Sequence, residues 1–154
     1  MLVDQSISVE AEIDKLGASK WVVTIPGIMR GKGRPRLSAS NGFARAHTDE
    51  KTRNAEAHIR QCALQQVGQI CLDGPLKVSM HIAVQVPASW PKKKQASALA
   101  GGIRPTGKPD LDNCMKMLDA LNGITWRDDS QIVEQSATKF YGPVPITVLH
   151  VERV

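Results

Sequence analysis

The sequence has no long apolar run, no closely spaced cysteine pair and no internal repeat. A helix that spans a bilayer needs about 18 or more apolar residues in succession, so none is expected here. The N-terminal MLVDQSISVEAEIDK is too acidic for a signal peptide, which makes the cytoplasm the expected location. Three cysteines, Cys62, Cys71 and Cys114, are odd in number and form no CxxC, while His47, His58, His81 and His150 are scattered. That spacing opposes a disulfide framework and a zinc site alike and leaves reduced core thiols as the expectation. Acids are missing from two segments. MRGKGRPR holds Arg30, Lys32, Arg34 and Arg36 with no Asp or Glu, and WPKKKQASALAGGIRPTGK holds Lys92, Lys93, Lys94, Arg104 and Lys108 with none either.

What is present describes one globular domain. The chain has 154 residues, 42% of them hydrophobic and 23% charged, which suffices for a core without staples. Its net charge of +5 points weakly to an anionic partner. The two acid-free segments sharpen that to a polyanion, with Lys32, Arg34 and Arg36 as candidate phosphate contacts on the first. On the second the candidates are Lys92, Lys93, Lys94, Arg104 and Lys108. Either segment alone also reads as a solvated loop.

Residues 1–20 show no clear period and are expected to form a partly ordered appendage to a domain over 21–154. WVVTIP (21–26) reads as a strand stopped by proline. GIMRGKGRPRLSASNGFARA reads as a loop in which Pro35 keeps Arg34 extended. A helix capped by Thr48 or Asp49 should reach about Gln69, with Ala55, Ile59, Cys62, Ala63, Val67 and Ile70 as its apolar stripe. LKVSMHIAVQV alternates Leu76, Val78, Met80, Ile82, Val84 and Val86 with polar residues, the pattern of a half-buried strand. Residues 87–108 hold too many breakers for a long element and read as a mobile loop. A helix from about Asn113 to Asn122 should end at Gly123, and two strands follow, IVEQSATKFY and ITVLHVERV. The order predicts an α+β fold, a mixed or mostly antiparallel sheet with helices packed on one face.

The stretch KPDLDNCMKMLDALNGITWRDDSQIVE gathers five aspartates in a basic chain. Like charges so close repel unless the loop is solvated or a cation lies among them. On a helix Asp112, Lys116 and Asp119 fall nearly in line, opposite Cys114, Met117, Leu118 and Leu121. Asp110 and Asp112, two apart in extended chain, point the same way, so two carboxylates and Lys116 converge at the start of the helix. If the strand beginning near Gln131 packs beside this helix, as short connections require, an aspartate of the pair Asp128 and Asp129 can return to the same spot. Three hard carboxylates suit Mg²⁺, which keeps several waters and takes few protein ligands. Other readings stay open: Asp112 as a helix cap, Asp119 as a surface ion pair with Lys116, Asp128-Asp129-Ser130 as a polar turn, and Trp126 as packing beneath it. A calcium loop of EF-hand type is excluded, because the sixth position from Asp110 is Met115 and the twelfth is Leu121.

KPDLDNCMKMLDALNG followed by WRDDSQIVE resembles the RusA-type Holliday junction resolvases, in particular their phage and prophage branch. GKGRPR, TDEKTR, the alternating strand and the basic loop before KPD resemble that branch too, so the likeness covers about residues 21–150. Its specific part is D-x-D-N-x3-K…D-D-x-Q. The resemblance implies a homodimeric endonuclease that depends on Mg²⁺, with Mn²⁺ as a substitute. Such enzymes cut four-way DNA junctions by paired phosphodiester hydrolysis in recombination and repair. Carried over by position, the metal-binding aspartates match Asp110, Asp112 and Asp129, with Asp128 as the neighbouring acid and Lys116 as the catalytic lysine. Two other functions fit the same residues: a DNA-binding phage protein without catalysis, and a nuclease for other branched DNA such as flaps.

Overall fold

The computed structural model describes residues 20–154; the expected appendage over 1–20 lies almost wholly outside the described residues. Strand β1 (Lys20–Pro26) is followed by β2 (Arg36–Ser40) and β3 (Phe43–His47), then by helix α1 (Glu50–Gln66) and strand β4 (Leu76–Gln85). Helix α2 (Lys92–Leu99) and the short α3 (Leu111–Lys116) come next, and α3 runs on as a 3-10 turn over Met117–Leu121. A second 3-10 turn, Asp129–Gln131, leads into β5 (Ile132–Gly142) and β6 (Ile146–Arg153). The fold is α+β, as the element order predicts.

The main sheet runs β1-β6-β4-β5. β6 is antiparallel to both β1 and β4, and β5 is parallel to β4. β5 and β6 are therefore consecutive in the chain yet separated by β4. Two strand spacings are about 9.6 Å, a gap that residues 143–145 can just cross when extended. Alternation builds one buried face from Trp21, Val23 and Ile25 on β1, Leu76, Val78, Met80 and Ile82 on β4, and Leu149 and Val151 on β6. Ile59, Cys62 and Ala63 of α1 close over it together with Cys114, Met117, Leu118 and Leu121. The apolar stripe of α1 and the inward side of α3 are thus those that helical spacing predicts. Cys62 and Cys114 are buried free thiols, and burial pushes that of Cys114 up to about 11, so it is packing rather than a nucleophile. Among the described residues, no helix is long and apolar enough to cross a membrane.

Four local expectations need correction. The segment after β1 is not all loop, because β2 and β3 pair as a hairpin. Its turn is Asn41-Gly42, both at positive φ (55° and 79°), the geometry that lets two strands reverse without splaying. Residues 87–108 contain a real helix: Gln95 folds back to donate to the Trp90 carbonyl at 2.7 Å, and Ala98 is buried. α1 stops at Gln66, where Gly68 takes up a left-handed conformation. The third helix begins at Leu111, with Asp110 rather than Asp112 in the extended capping position. Its last five residues tighten to 3-10 winding, common where a helix closes on its own end.

Candidate active site and nucleic-acid interface

The acidic stretch is held from three sides. Lys139 on β5 reaches across to donate to the carbonyls of Gly107 and Pro109, the latter at 3.0 Å, and so fixes the chain just before Asp110. The amide of Lys32 donates to the Asn113 carbonyl at 2.9 Å, which ties the basic segment after β1 onto α3. That approach leaves no room for a Cβ at two positions unless a neighbour shifts. A Cβ on Gly31 would lie 2.8 Å from the Asn113 Cβ, and one on Gly33 would lie 2.9 Å from an Asp49 carboxylate oxygen. The glycines of MRGKGRPR are thus there for contact with α1 and α3.

The third anchor is the turn WRDDSQ. Trp126 is fully buried, and its indole N–H donates to the Asn122 Oδ1 at 2.7 Å. Packing beneath the turn is therefore its observed role. Gln131 uses its whole amide: Oε1 accepts from the Arg127 and Asp128 amides (2.8 and 3.0 Å), and Nε2 donates to the Leu72 and Gly74 carbonyls (both 2.9 Å). Asp128 answers by accepting from the Ser130 amide at 3.2 Å, which closes a reciprocal capping box and holds its carboxyl below the usual range. Gln131 was not among the candidate site residues. Its signal was the D-x-x-Q spacing itself, since a capping box needs an acceptor at one end and an amide three residues on.

These anchors place the acids in two groups. Asp110 and Asp112, both exposed, line a cleft of about 410 Å³ with Lys116, Asn113, Lys32 and Arg34. Asp119 and Asp129 form the second group, in mutual contact. The Asp119 carboxyl beside Asp129, with burial and the Asp119 charge, raises Asp129 above the ordinary carboxylate range. At Asp119 burial pushes upward, but the bond from Lys32 and the neighbouring Asp129 outweigh it and the carboxyl sits below its usual range. Lys32 joins the groups: it lines the cleft, and its ammonium is 2.8 Å from Asp119 and 3.4 Å from Glu56. The partner of Asp119 is therefore Lys32 rather than Lys116. The backbone tie to Asn113 brings Lys32 there from 87 positions away. It also commits an ammonium expected to meet phosphate, and raises its pKa chiefly through the Asp119 bond.

The turn returns beside the helical segment, but the carboxylate it meets is Asp119 and not the entrance at Asp110 and Asp112 that the short link predicts, because Asp119 lies about two turns farther along. Among the described residues, no group of three or more His, Cys, Asp or Glu side chains is close enough to hold a metal ion. The donor chemistry still suits a hard cation. All four acids offer oxygen, no thiol or imidazole competes, and two carboxyls in contact need a proton or a cation between them.

Among the described residues, the other basic candidates form no ion pair. Arg34, Arg36, Arg104 and Lys108 are exposed, with Arg34 on the cleft wall. Lys92, Lys93 and Lys94 form the first turn of α2, which has no acid in that turn. Lys94 lies 3.9 Å over the Trp90 ring. Three cations at the positive end of a helix dipole are unfavourable in isolation, by about 0.3–1 kcal/mol each, and an anion alongside relieves them.

A family model described as endodeoxyribonuclease RusA matches residues 26–152. The chain belongs to the RusA endodeoxyribonuclease family. The match runs from the end of β1 into β6 and takes in both acid groups and both acid-free segments. A RusA-family nuclease is a phosphodiester hydrolase, and the family implies branched DNA as its partner. The chain is also 34% identical over 125 residues to the uncharacterized protein YqaN of Bacillus subtilis (strain 168), an alignment covering 79% of this chain and 88% of YqaN.

Proposed function

We propose that this RusA-family protein is a Mg²⁺-dependent endonuclease that resolves four-way DNA junctions. It acts as a homodimer, each subunit cutting one of two symmetry-related strands. The observation that carries the reading is the cleft of Asp110, Asp112 and Lys116, walled by Lys32 and Arg34 and pinned by the bond from Lys32 to Asn113. Carboxylates alone would repel a phosphodiester; carboxylates faced by fixed cations can receive one.

In this scheme Asp110 and Asp112 in the cleft would hold Mg²⁺ or Mn²⁺, with Asp129, and Asp128 beside it, as the further ligands expected from the second group. The ion when bound supplies a lower water pKa and charge neutralisation at phosphate. The remaining work belongs to the chain. Arg34 and Lys116 orient the phosphate, and Lys116 stabilises charge that grows on its oxygens as the 3′-oxygen leaves. Lys32 holds Asp119 in place and keeps it ionised. Asp129, whose carboxyl is raised beside Asp119, would be the acid of this pair that takes up a proton most readily. Hydrolysis leaves a 5′-phosphate and a 3′-hydroxyl. Exposed Arg36, Arg104, Lys92, Lys93, Lys94 and Lys108 supply phosphate contacts, and with them a steep salt dependence. A twofold dimer would present two equal sites to a twofold junction.

The test is a synthetic four-way junction with Mg²⁺, cut by the wild type and by Asp112→Asn. We expect tight binding by both and paired cleavage by the wild type alone, the variant losing at least about 10²-fold. Equal cleavage by the two would remove Asp112 from the mechanism. A binding module without catalysis is the second reading, and the two-group arrangement of the acids favours it. It predicts metal-independent binding and no nick in any DNA. Flap and fork substrates run in parallel separate junction resolution from cleavage of other branched DNA.

A further inference from the structure

The hairpin formed by β2 and β3 has no core. Every described side chain from Arg36 to His47 is exposed, and the two strands pack chiefly on each other. A free two-stranded ribbon is marginal in water, so a stable one has something to lie against. Its register sorts its side chains. Arg36 pairs with His47, Ser38 with Arg45 and Ser40 with Phe43, so Arg36, Arg45, His47 and Phe43 share one face. Leu37, Ala39, Ala44 and Ala46 share the other.

Charge identifies the occupant of the first face. No Asp or Glu occurs between Met29 and Thr48, so the ribbon and the segment feeding it form one uninterrupted cationic strip. Arg34 and Pro35 line the acid cleft, and Arg36 is the first residue of the ribbon, so the strip leaves directly from the cleft wall. Five residues per strand extend it by roughly 17 Å. Phe43 stands at the far end, next to the turn, 75% exposed. The chain has only six Phe, Tyr and Trp residues in all. Trp21 and Trp126 are buried, Trp90 and Tyr141 pack edge to face, and Phe140 is 39% exposed. Phe43 is thus the one aromatic held clear of the body. An aromatic face beside arginines suits a nucleobase, which stacks regardless of sequence. Linear duplex hides its base faces in the stack, whereas a branch point exposes those of the pairs that border it.

We propose that the ribbon is a seating arm for branched DNA. Arg36, Arg45 and His47 track the sugar–phosphate backbone, and Phe43 stacks on a base at the branch. The arm thereby sets preference for branched over linear DNA and fixes the distance from branch to cut. This rests on the branched-DNA reading above and adds to it the element that recognises the branch.

The test uses the full chain without divalent metal and a four-way junction carrying 2-aminopurine at the branch, with linear duplex of the same arms as control. Wild type should raise the 2-aminopurine fluorescence and prefer junction to duplex. Phe43→Ala should abolish the fluorescence change and weaken junction binding roughly 5- to 150-fold, the worth of one base–aromatic stack, with duplex binding unchanged. Phe43→Trp should restore both signals. If the wild type binds junction and duplex equally, the branched-DNA reading fails and the arm fails with it. If the wild type prefers the junction but Phe43→Ala keeps that preference and the fluorescence change, the arm alone is overturned. It is also overturned if Phe43→Ala weakens both DNAs equally. The same holds if Leu37→Asp converts a dimer to monomer while Phe43→Ala changes nothing, since the ribbon would then be a subunit contact.

Discussion

The acids and the ribbon lie on either side of Arg34, and they are supported in opposite ways. Asp110, Asp112, Asp119 and Asp129 hang on a scaffold that buries Cys114, Met117, Leu118, Leu121 and Trp126 completely or nearly so. Arg36, Arg45 and Phe43 hang on two strands whose described side chains are all exposed. Chemistry on a phosphate needs groups held to a fraction of an ångström, and packing supplies that precision. Seating a long, deformable polyanion needs reach and charge, and for those a core is unnecessary.

The largest effect that can break this contrast is on stability. Trp126→Ala should lower unfolding free energy by about 3–5 kcal/mol, while Phe43→Ala should change it by no more than about 0.5 kcal/mol; denaturant titration reads both. Equal losses would mean that the ribbon is part of the core after all. Next comes Gln131→Ala, which frees the WRDD turn without touching an acid. Cleavage should fall about 10- to 100-fold, the usual cost of losing an outer partner, with junction affinity little changed. Gln131→Glu keeps the two acceptor bonds, loses the two donors and should fall between.

The smallest effect sharpens the role of Lys32. Its raised pKa means that the ion pair contributes fully below the ordinary lysine value and is lost as pH rises through the raised one. The depressed Asp119 contributes above the ordinary carboxylate value and is lost as pH falls through the depressed one. Lys32→Met should therefore flatten stability at both limbs and cost under about 1 kcal/mol between them. A pH–stability curve that overlays the wild type would show the pair to be idle.

Much of the scaffold could be read in advance because its signals are local. The alternation from Leu76 to Val84, the stripe of α1 and the inward face Cys114-Met117-Leu118-Leu121 follow from the periods of strand and helix. Asp110, Asp112 and Lys116 share a cleft for the same reason, being close in sequence at the start of a helix. The ribbon announced itself through Asn41-Gly42, but its strands lack the buried alternation that normally accompanies such a turn. Helix α2 was masked by its surroundings: its lysines oppose its own dipole, and glycines and prolines flank it.

Sequence by itself determined the chemistry available, oxygen donors beside acid-free basic segments, because residue identity sets charge and ligand type. Only the tertiary structure decided which acid meets which cation. Asp119 pairs with Lys32 and Asp129 because α1, α3 and the WRDD turn close on one core, and contacts across such separations depend on how elements pack, which no local period encodes.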